Sequence, residues 1–163
     1  MKKSVKIVII ASIILAIVAI VAVCILFMSS KDKISLKADE FKSTMEEKGY
    51  SLIDATEQFL GIDEVQKVYL AVNSDYKYQM EFYEISDVPT ATNFYNNYKS
   101  VIEAAKGDIS VETNVEMKNY AKYTLTSNEQ YMVISRIDNT AIYIVVEEEY
   151  KEEVENVLKE IGY

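Results

Sequence analysis

Arg136 is the only arginine in the chain, and it stands between Ser135 and Ile137 in a segment that alternates like a β-strand. A guanidinium on a strand has two ordinary uses: its planar fork can hold a ligand carboxylate, or it can pair with one of the protein's own acids. Tyr131 and Tyr143, on the same and the following apolar segment, are the nearest aromatic candidates for a ligand or partner surface. The other tyrosines at Tyr69, Tyr76, Tyr78, Tyr83 and Tyr123 invite the same reading, and cross-strand aromatic packing accounts for them equally.

Other chemistry is sparse. The chain has no histidine, and its one cysteine, Cys24, lies inside a long apolar run, which removes Ser/His and Cys/His nucleophiles and the usual zinc or copper ligand sets. No glycine-rich loop with phosphate-cradling spacing is present. Paired carboxylates could serve glycoside hydrolysis, but 26 acids make pairs by chance, and tryptophan, a common sugar platform, is absent. The dense Glu147-Glu148-Glu149 and Glu152-Glu153 lack the D-x-[DN]-x-[DN]-G pattern of a calcium loop. The sequence therefore assigns no catalytic, cofactor-binding or metal residues, expects no cofactor, and reads as a non-enzyme.

The elements that must position these residues begin after an apolar segment. Ile7 to Met28 is a run of 22 residues with Ser12 as its only hydroxyl, enough at ~1.5 Å per residue to span a hydrocarbon layer. Phe27 and Met28 stand where a signal-peptidase site needs small residues, so a retained signal anchor is expected rather than a cleaved leader. Val21-Ala22-Val23-Cys24 approaches a lipobox, but Val23 is not small and apolar residues continue past Cys24. Lys2, Lys3 and Lys6 precede the run, and a short basic N-terminus before a single span favours the N-terminus inside and the rest outside. Removing those three lysines from 17 basic residues leaves 14 against 26 acids, a net of −12, which argues against nucleic acid as a partner.

Beyond the run, apolar residues at Ala38, Phe41 and Met45 predict a helix from Leu36 to Lys48 with Ser35 as its cap. Asp87 and Pro89 open a second, whose stripe is Ala91, Phe94, Tyr95, Tyr98, Val101, Ile102 and Ala105. A third carries Tyr150, Val154, Val157, Leu158 and Ile161 inward. Gly49, Gly61, Gly107 and Gly162 each follow a helical stretch and are expected at helix ends. Strand patterns occupy Val68 to Val72, Tyr76 to Ile85, Ile109 to Met117, Tyr120 to Leu125, Tyr131 to Ile137 and Ala141 to Val146. The last of these, AIYIVV, is apolar on both faces and should lie centrally. The expected fold is α+β: an N-terminal transmembrane helix, then a mostly antiparallel sheet with helices packed on one face. Its divisions are 1–6 cytoplasmic N-terminus, 7–28 transmembrane helix, 29–35 linker and 36–163 acidic domain.

The segments NYAKYTLTSNEQYMVISRIDNTAIYIVVEEEYKEEVENVLKEIGY and FKSTMEEKGYSLIDAT, with the MKK-plus-apolar start, resemble the uncharacterised small single-pass membrane-anchored proteins of low-GC Gram-positive bacteria. That resemblance covers most of the chain and carries no catalytic motif. It implies a bacterial plasma membrane with the C-terminal domain extracytoplasmic. The functional expectation is an integral, single-pass cell-envelope module that binds a protein or small ligand. The alternatives are a structural or regulatory subunit recognised through its transmembrane helix, and a hydrolase using acids alone.

Overall fold

The computed structural model describes residues 32–59 and 64–163, and the expected membrane helix and Gly61 lie outside them. Among the described residues no helix is long and apolar enough to cross a membrane. Lys33–Tyr163 forms one compact unit. Its elements are α1 (Ala38–Glu47), β1 (Ser51–Asp54), a 3₁₀ turn (Thr56–Phe59), β2 (Val65–Val72), β3 (Gln79–Ile85), α2 (Val88–Ala104), β4 (Ser110–Glu116), β5 (Tyr120–Ser127), β6 (Gln130–Ile137), β7 (Thr140–Glu147), a second 3₁₀ turn (Glu148–Tyr150) and α3 (Lys151–Glu160).

Local chemistry sets most boundaries. The Asp87 carboxylate accepts the Thr90 N–H at 2.8 Å and Pro89 sits in the first turn, so α2 starts where its sequence says. Helix α1 starts two residues later than expected. The Glu40 carboxylate takes the Lys37 N–H, and Glu84, reaching over from β3, takes the Ala38 N–H at 2.9 Å, so a tertiary contact fixes the first turn. Gly49 and Gly162 close α1 and α3 with φ of +85° and +91°, and the next residues, Tyr50 and Tyr163, return their N–H groups to Met45 and Leu158. Gly107 behaves differently from the other two. It is not left-handed; a Cβ there would come within 2.6 Å of Asn128 Oδ1, and its N–H donates to Ser127 Oγ. Glycine there makes room for the Asn128 side chain rather than supplying a left-handed helix end.

The seven strands form one sheet in the order β1-β2-β3-β7-β6-β5-β4, antiparallel throughout. Two meanders, β1-β2-β3 and β4-β5-β6-β7, are joined where β7 lies down beside β3, with Phe82 opposite Ile142 and Tyr83 opposite Ala141. AIYIVV is thus the middle strand of seven, as its two apolar faces require.

The expectation of helices on one face is corrected by the packing. Phe41, Met45, Val154 and Leu158 from α1 and α3 bury Met80, Phe82, Ile142, Ile144 and Val133 on one face. Ala91, Tyr95 and Ile102 from α2 bury Tyr83, Ile85, Ala141, Ile134 and Leu125 on the other. The reason is visible in β6, where seven of eight residues are buried: a strand apolar on both sides needs cover on both sides. Val101, counted in the apolar stripe of α2, is exposed at its rim.

Candidate functional site

Arg136, Tyr131 and Tyr143 do not converge. Successive strand residues point to opposite faces, so Arg136 lies under α2 while Tyr131 lies with α1 and α3. Tyr131 is fully buried with the Lys151 ammonium 5.3 Å above its ring. Burial, then the neighbouring Glu155, push its phenol well above the ordinary tyrosine value. Tyr143 is half-buried on the α2 face and stacks edge-on against Tyr98 at 4.6 Å. It closes a chain of ring contacts running Phe59–Tyr83–Phe94–Tyr98–Tyr143, which holds α2 on the sheet.

Arg136 is 6% exposed, and its Nη1 donates to the main-chain oxygen of Asp138 at 2.9 Å. It forms no ion pair among the described residues, and its Nε has no hydrogen-bond partner. The buried Tyr95 hydroxyl above the same face also lacks a partner. Burial and the Glu116 carboxylate push that phenol up to about 12, against the opposing pull of Arg136. This is a polar pair inside the α2 layer rather than a mouth open to solvent.

At the surface, the sheet has two very different ends. Where the chain joins the domain, Lys33 exchanges backbone hydrogen bonds with the Asn119 side chain, and its ammonium reaches Gly162 O at 2.7 Å. This ties the start of the domain to the β4–β5 turn and the C-terminus. The opposite ends of β5, β6 and β7, roughly 25 Å away at one strand length, are acidic. There a cleft of 540 Å³ is lined by Asn128, Glu129, Gln130 and Glu147 to Glu149, and a second of 470 Å³ beside it reaches Asp108 and the start of β4. Asn128 and Glu129 both hold positive φ, giving the two-residue turn that joins β5 to β6. No group of acids among the described residues is arranged to hold a metal ion.

The most open feature is β4, an edge strand. Its register with β5 runs unbroken from Ser110 opposite Ser127 to Glu116 opposite Ala121. On the α2 face its acids are engaged by their own chain: Lys106 pairs with Glu112 at 3.0 Å, Lys99 with Glu116 at 3.6 Å, and the Tyr123 hydroxyl donates to Glu112. Lys106 and Tyr123 hold the Glu112 carboxyl below its ordinary value. The other face presents Ile109, Val111, Thr113, Val115 and Met117 in one row. Ile109 is 90% exposed and Val111 65% exposed, while Val115 and Met117 tuck partly against the core. The period of two marked this strand in the sequence, but nothing in that pattern told which strand would be outermost.

The other edge, β1, is only four residues long and leads directly into a 3₁₀ turn where Asp54 accepts from Thr56 and pairs with Lys67. Comparison with protein-family models, curated proteins and solved structures finds no match for the chain.

Proposed function

We propose that this chain is a non-enzymatic cell-envelope module, anchored by the apolar helix at 7–28 in a bacterial plasma membrane, whose extracytoplasmic domain binds protein through the β4 edge. The observation that carries the reading is the bare edge itself. Exposed edge strands template pairing with other chains, and folded proteins usually blunt them with charged side chains, lysine above all, or with proline, a bulge or extreme shortness. The two charges of β4, Glu112 and Glu116, are each paired with a lysine of their own chain. Ser110–Glu116 has seven residues, no lysine or proline and an uninterrupted register. Strand addition at such an edge draws affinity from main-chain hydrogen bonds and specificity from alternate side chains. A protein ligand suits this surface because strand addition needs an extended main chain to pair with the edge.

A photo-crosslinking residue at Val111 in the full-length chain, with one at Ile53 on β1 as control, tests the reading in native membranes. Discrete protein adducts from position 111 and none from position 53 are expected. Equal labelling from both would remove β4 as the docking edge. Protease added to intact cells, with wall shielding controlled, should digest the domain; protection until lysis would reverse the orientation.

A further inference from the structure

Resting on the edge-docking reading, we infer that the strand received by β4 is β4 of a second copy, paired antiparallel about Thr113. Two copies joined edge to edge by a two-fold axis present the same strand to each other, so residue i faces residue j and j faces i. For the side chains of both copies to stay on matching faces, the axis must pass through a residue rather than between two.

Three centres along the middle of β4 can then be compared by charge. An axis through Glu112 sets Glu112 against its own copy. An axis through Asn114 sets Glu112 against Glu116 of the second copy. Like charges directly opposite one another are destabilising. An axis through Thr113 avoids both conflicts and uses the whole of Ser110–Glu116. Thr113 then faces Thr113, Val111 faces Val115, and the flanking Ile109 faces Met117. On the other face Glu112 meets Asn114, and Glu116 meets Ser110. The strand reads as an approximate palindrome of side-chain chemistry, apolar against apolar and acid against neutral polar.

Two further observations favour a second copy. The exposed Ile109 and Val111 have no cover within the domain, and this register places each beside the half-buried Met117 and Val115 of the second copy. The acids that would draw near across the axis are already countered within each copy, Glu112 by Lys106 and Glu116 by Lys99. The domain's overall negative charge opposes association at long range, but the edge itself is locally compensated.

The test uses the full-length chain in its native membrane, with Cys24→Ser as the background so that no other thiol is present. Thr113→Cys should give, on mild oxidation or with a one-carbon bis-methanethiosulfonate bridge, a covalent species of twice the chain mass. Val111→Cys alone should give on the order of tenfold less, because opposite Cβ atoms lie ~5 Å apart while the two 111 positions would lie roughly 13 Å apart. Co-expressed Val111→Cys and Val115→Cys chains should restore the dimer. Val111→Cys cross-linking as well as Thr113→Cys would overturn the register and the inference with it. A Thr113→Cys adduct to a different protein would overturn the second copy while leaving edge docking intact. No adduct of any kind, with the thiol at 113 still reactive to maleimide, would overturn both.

Discussion

Strands β7 and β4 are nearly equal in length, eight residues against seven, but one lies at the centre of the sheet and the other at its edge. β7 is hydrogen-bonded on both sides, to β3 and β6, and packed on both faces; β4 is hydrogen-bonded on one side and exposed along most of both faces. Strand address rather than strand length thus decides what a residue is worth. In the middle, each side chain is a structural component whose loss is felt by two layers of helix. At the edge, side chains are nearly free of folding constraints, which leaves them available for recognition. Perturbations arranged from the centre outward should therefore show falling costs in stability.

The largest cost should come from uncovering β7. Leu158 on α3 is wholly buried in the cluster that includes Ile142, Ile144 and Val146. Leu158→Ala should lose about 2–5 kcal/mol, a large fraction of the 5–15 typical of a domain. Urea unfolding of a Lys33–Tyr163 fragment, followed by far-ultraviolet circular dichroism, measures it. Melting like the unsubstituted fragment would mean that α3 is not part of the core.

One layer out, Tyr95 packs over the Arg136 end of β6 with its hydroxyl buried and unpartnered. An unsatisfied buried polar group costs ~1–3 kcal/mol, so Tyr95→Phe should raise stability by about 1 kcal/mol. A loss of that size instead would show that the hydroxyl is satisfied, and that the Tyr95–Arg136 pair stabilises the α2 layer.

The centre of the sheet was the legible part of the sequence. AIYIVV announced its position because alternation fails there, and Asp87 with Pro89 announced α2 because capping chemistry is local. The same two-faced apolar pattern already implied helices on both sides, a consequence the one-face expectation missed, and Tyr131-Met132-Val133-Ile134 in β6 carries that signal again. The edge was illegible for a different reason. Which strand lies outermost depends on β7 pairing with β3 across more than fifty residues of chain, and no short pattern encodes that pairing. Arg136, readable from sequence as a fork for a ligand carboxylate or for one of the chain's own acids, is instead buried with no ion pair among the described residues.

At the β1 edge the effect should be small and pH-dependent. Hydrogen bonds from Lys67 and then Thr56 hold the Asp54 carboxyl down to about 2. A carboxylate whose pKa is depressed in the folded state adds stability above its unfolded value near 3.8, and loses it as pH falls towards 2. The pair is largely exposed, so solvent screening limits its contribution to less than about 1 kcal/mol. Asp54→Asn should therefore be slightly less stable than the unsubstituted domain at pH 6, and the two should converge between pH 4 and 2. A difference that persists at pH 2 would assign the effect to lost side-chain geometry rather than to charge.

The smallest intrinsic cost should appear at β4, where Thr113→Lys puts a charge on an exposed position. Measured at high dilution, its unfolding free energy should match that of the unsubstituted domain within about 0.5 kcal/mol, as for most surface substitutions. The corresponding change at the centre, Ile144→Lys, would bury an unpaired ammonium between two packed layers and should prevent folding. Concentration then separates the folding role of the edge from its binding role. If two copies pair through β4, the unsubstituted domain gains stability as it is concentrated, because association draws on the folded state alone. Thr113→Lys places two ammonium groups opposite one another at the symmetry axis, so its midpoint should stay flat over the same range. A midpoint that rises equally for both chains would place any self-association elsewhere on the surface. A Thr113→Lys chain that is unstable even when dilute would show that β4 is bound into the fold as firmly as the strands inside it.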